Sequence, residues 1–122
     1  MLKLFTIQDA NGLIPVVDDS LSQMKEQVKD IIILRQELDD LSPFSIEAHN
    51  KVQEISFLLQ DLNEQQFDLF KLGVFIEDAE VGKVVFPSQV GAEVVYLAHE
   101  LGQSKITHYK RLNEATQYSL NS

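Results

Sequence analysis

Leu38-Asp39-Asp40-Leu41-Ser42-Pro43-Phe44-Ser45-Ile46-Glu47-Ala48 decides the fold. Proline disfavours the helical conformation in the residue before it, so Ser42-Pro43 stops any helix arriving from the N-terminal side. Ser45 is a good N-cap for a helix leaving on the other side. On the near side, Ile14, Val17, Leu21, Met24, Val28 and Ile31 step by 3, 4, 3, 4 and 3, the spacing of a coiled-coil seam, and Leu34, Leu38 and Leu41 carry the apolar pattern on. On the far side, Ala48, Val52, Ile55, Leu59, Leu62, Gln66 and Leu69 alternate steps of 4 and 3. The spacing predicts helices over about 14–41 and 46–71, each roughly 40 Å long at ~1.5 Å per residue. So short a connector forces them antiparallel and side by side.

Upstream, Leu2 to Phe5 reads as a lead-in with the character of an edge strand, and Thr6 as an N-cap. Asn11-Gly12 interrupts, and Pro15 suits a first helical turn, where its missing N–H costs nothing. The expectation is a separate helical turn over 7–12 before the long helix. Downstream, Gly73 ends the second helix as a C-cap glycine does. The period then changes to that of strands: 74–76, then 83–86 ended by Pro87, then 93–99, and finally 105–109 after a turn at 101–104. Connections this short imply an antiparallel meander. The fold class is therefore α+β, a long antiparallel helical hairpin (about 14–71) followed by a three- to four-stranded antiparallel β-meander (about 74–110). The polar stretch 113–122 is expected to fray. All 122 residues fit one domain.

The chain carries 10 basic and 19 acidic residues, a net charge of −9, with no basic cluster. Proteins that neutralise phosphates need clustered Lys and Arg, so nucleic acid and anionic membranes are not the expected partners. No cysteine is present, which removes disulfides, thiolate catalysis and sulfur-based zinc sites. No signal peptide and no apolar run of ~18 residues is visible, and the expected location is the cytoplasm.

The order of the pieces is similar to a known family. Phe5-Thr6, Ala10-Asn11 and Leu13-Ile14-Pro15 resemble the start of the DUF2203 family of small prokaryotic proteins. Leu72-Gly73-Val74, Asp78, Glu80, Gly82, Val84, Phe86-Pro87, Gly91, Val95-Tyr96-Leu97 and Leu101-Gly102 resemble its C-terminal half. The resemblance spans about residues 4–114. It implies a shared fold and a prokaryotic setting, and it transfers no catalytic residue, since the family has no known function.

Candidate chemistry is sparse. There is no Ser-His-Asp order, P-loop or dinucleotide fingerprint. With a turn at 101–104, Glu100 faces Lys105, His99 faces Ile106 and Leu97 faces His108, so His99 and His108 share a sheet face as diagonal neighbours. With Glu100 they form the candidate set for a divalent metal, although the usual metal-site spacings are absent and two histidines at the wet rim of the sheet are the plainer reading. Glu77, Asp78 and Glu80 form an acidic turn without the ligand alternation of a calcium loop. Tyr96 and Tyr109 are expected to face each other across the last hairpin.

The apolar surplus on the helices is the stronger signal. Ile31-Ile32-Ile33-Leu34 is apolar around most of the helix and needs cover on more than one side. Phe57, Leu58, Phe67 and Phe70 also need cover. Strands of ~17–20 Å are too short to lie along helices of roughly 40 Å. The uncovered length points to a second copy and a four-helix arrangement. The expected oligomer interface comprises Val28, Ile31, Ile32, Leu34, Leu59, Leu62, Gln66, Phe67 and Phe70, with Gln66 a polar break that sets register. The function expected from the residues is thus a non-catalytic, self-associating homodimer that acts as an interaction or scaffold module. It needs no cofactor and leaves room for another protein partner. The alternative is a metal-binding protein or metal-dependent enzyme built on His99, His108 and nearby carboxylates.

Overall fold

The computed structural model describes residues 2–120. Two helices, α1 (Ile7–Asp39) and α2 (Ile46–Lys71), precede five strands: β1 (Phe75–Asp78), β2 (Lys83–Val90), β3 (Glu93–Glu100), β4 (His108–Arg111) and β5 (Gln117–Ser119). The strands form one antiparallel sheet in the order β1-β2-β3-β4-β5. The architecture is the α+β hairpin-plus-meander read from the sequence, with one strand more. Ser45 caps α2 as expected, its hydroxyl accepting from the Ala48 N–H at 3.1 Å.

Three local expectations are corrected. The separate turn at 7–12 is continuous with α1, and Pro15 lies inside the helix. Thr6 caps its start, and Ala10 and Ile14 bury in the core beside Phe5, so tertiary packing outweighs the roughly 3 kcal/mol that an interior proline costs. Pro87 does not end its strand, because β2 runs on to Val90. The Phe5 N–H donates to the Pro87 carbonyl at 2.7 Å. N–H and C=O of one strand residue point the same way, so the missing N–H of Pro87 falls on that side and the ladder to β3 loses nothing. The stretch 113–122 does not simply fray: Gln117–Ser119 pairs with β4, and Tyr118 stacks on Tyr109 with centroids 5.5 Å apart. Asn121 and Ser122 lie outside the described residues.

The core shows which part of the hairpin the sheet covers. Ile14, Val17, Leu21 and Met24 of α1 and Leu69 of α2 pack with Val84, Phe86 and Leu97 of the sheet. Ile31, Leu34 and Ile55 form a second cluster from the two helices alone, with Leu38, Leu58 and Leu62 beside it. The 33 residues of α1 run about 50 Å. The eight residues of β2 run about 26 Å. The sheet therefore lies over the N-terminal half of α1 and the C-terminal end of α2, and the rest of the hairpin projects beyond it as a two-helix arm.

Candidate functional site

His99 sits on the helix-facing side of β3, in line with Val95 and Leu97, and its side chain is fully buried. One α-helical stripe away from Val17, Asp18 reaches it: His99 Nε2 and Asp18 Oδ1 are 2.7 Å apart. An ionised carboxylate only accepts, so the ring donates from Nε2–H. Nδ1 is buried and has no hydrogen-bond partner among the described residues. This dyad ties α1 to the sheet from within. Asp18→Ala, which leaves neither ring nitrogen partnered, is expected to lower stability by about 1–3 kcal/mol. Asp18→Asn, which keeps an acceptor, is expected to lose less. Urea unfolding of the two variants measures the difference.

His108 does not join it. The register pairs Ala98 with His108 and Leu97 with Tyr109, not Leu97 with His108. A shift of one residue moves a side chain to the opposite face, so His99 and His108 point to different sides of the sheet. The cause is Ile106, which buries in the core and donates its N–H to Asn11 Oδ1 at 2.8 Å. That draws 103–107 onto α1 and lengthens the turn. Tyr96 accordingly pairs with Lys110 instead of Tyr109, and Glu100 lies 3.9 Å from Lys83 instead of facing Lys105.

Glu100 and His108 instead share the face away from the helices. With Glu77, Lys83, Gln103 and Gln117 they line a cleft of about 180 Å³. Its charges are matched in pairs, Lys83 with Glu100 and Lys110 with Glu77. His108 Nδ1 lies 2.8 Å from Thr107 Oγ1. The acidic turn is also occupied by its own backbone: Asp78 Oδ1 accepts from the N–H groups of Glu80 and Val81. Among the described residues no group of three or more His, Asp or Glu stands where it holds a metal ion. His99, Glu100 and His108 are not assembled into one ligand set.

The helices tell a different story. Ile31 and Leu34 are buried against Ile55 within one chain, and Leu62 is half-buried there, so these three of the expected interface residues are already engaged. The buried side of α2 passes through Leu58 and Gln65, not through Leu59 and Gln66. Ala48, Ile55, Leu62 and Leu69 of the expected seam do face inward, and Lys51, Leu58 and Gln65 take the places between them, with Gln65 Nε2 donating to Gln27 Oε1 at 2.9 Å. The residues left outside form a second stripe. Val52 is 53% exposed, Phe67 58% and Phe70 54%, with Leu59 and Gln66 exposed between them. On α1, Ile32 is 40% exposed and Val28 half-buried. Ile32 stands eleven residues, three helical turns, beyond Leu21, which the sheet buries. Leu59 stands eleven before Phe70, which meets Phe75 of β1 edge-to-face at 5.5 Å. On α1 the exposed Ile32 thus continues the line of Leu21 past the end of the sheet, and on α2 Leu59 and Val52 continue the line of Phe70. At the hairpin tip, Lys51 donates to Glu37 across the two helices, and this hydrogen bond holds the ammonium above its usual pKa.

Comparison with known proteins adds the family and nothing further. The family described as uncharacterized conserved protein (DUF2203) matches residues 3–118 of the 122. No curated protein and no solved structure matches the chain. No helix among the described residues is long and apolar enough to cross a membrane.

Proposed function

We propose that this chain, which belongs to the DUF2203 family of uncharacterized conserved proteins, is a non-catalytic interaction module that works as a homodimer. The carrying observation is the projecting arm. Two helices alone bury only one side of each other, and the side that continues the sheet-covered face keeps Val28, Ile32, Val52 and Leu59 toward solvent. A second copy supplies the missing layer and completes a four-helix bundle, the usual resolution of such a surplus. A two-fold contact of this kind is self-complementary, so one stripe serves both partners. Cytoplasmic location is part of the proposal and accords with the absence of cysteine.

Light scattering tests it. The unmodified chain is expected at twice its 13.9 kDa mass. Val52→Glu combined with Leu59→Glu places two charges in the stripe and is expected to return the mass to that of one chain, with the helical circular dichroism retained because both positions are solvent-facing. A dimer unaffected by the pair of substitutions contradicts the proposal.

A further inference from the structure

We draw no further inference here: the strongest candidate, the aromatic groove beside Phe67, Phe70 and Phe75 where the end of α2 meets the edge of β1, is an unpartnered apolar face, and nothing in the structure shows what covers it.

Discussion

Phe86→Ala is expected to cost about 3–5 kcal/mol of folding stability, the largest loss from any single truncation considered for this chain. Phe86 is fully buried at the middle of β2, opposite Leu97 in the ladder and edge-to-face with Phe5 at a centroid distance of 5.2 Å. Phe5 is itself pinned: its N–H donates to the Pro87 carbonyl, and its own carbonyl accepts from the Ser88 hydroxyl. The neighbours therefore cannot close over the hole, and the cavity adds to the lost transfer energy. A urea titration reads this as a lower midpoint at unchanged slope. A loss under about 1 kcal/mol would mean that Phe86 does not lie in a packed core.

Gly82→Ala is expected to be the second most damaging, at about 2–4 kcal/mol. Gly82 has φ +90° at the turn into β2, a backbone region that costs a side-chain-bearing residue roughly 1–2 kcal/mol. A Cβ there also comes within 2.9 Å of the Leu101 Cβ. Leu101 has little room to retreat, since its N–H donates to the Gly82 carbonyl at 2.8 Å and its side chain packs on the core. Overpacking of this kind adds about 1–3 kcal/mol. Gly91→Ala is the control: φ is also positive there, but a Cβ meets nothing within 4 Å. The difference between the two variants in urea unfolding reads the Leu101 contact together with the greater backbone strain at φ +90° than at φ +60°.

The helical hairpin was legible because its signals are local. A proline after Ser42, a cap at Ser45 and apolar residues at helical spacing each act within a few residues. The sheet order followed from the short connections. What failed were features set by contacts distant in sequence. Nothing near Ile106 reveals that Asn11 will accept its N–H, yet that bond moves β4 by one residue and separates His99 from His108. Asp18 gave no sign of its partner 81 residues away. On α2 the spacing put Val52, Leu59 and Gln66 in the seam, yet the less apolar set Lys51, Leu58 and Gln65 faces α1, where Gln65 pairs with Gln27.

The bareness of the arm survives these corrections. Ile31 and Leu34 are taken up inside the chain, but Ile32, Val52 and Leu59 are not, and Ile32 and Leu59 stand three helical turns from Leu21 and Phe70. An isolated pair of helices with one apolar side in water gains from any like surface, and the surface always present is that of an identical molecule.

Sedimentation equilibrium of the unmodified chain over a roughly hundredfold range of concentration is the most direct test. The account predicts a reversible monomer–dimer distribution that approaches twice 13.9 kDa at the upper end. A single species of 13.9 kDa at every concentration would contradict it.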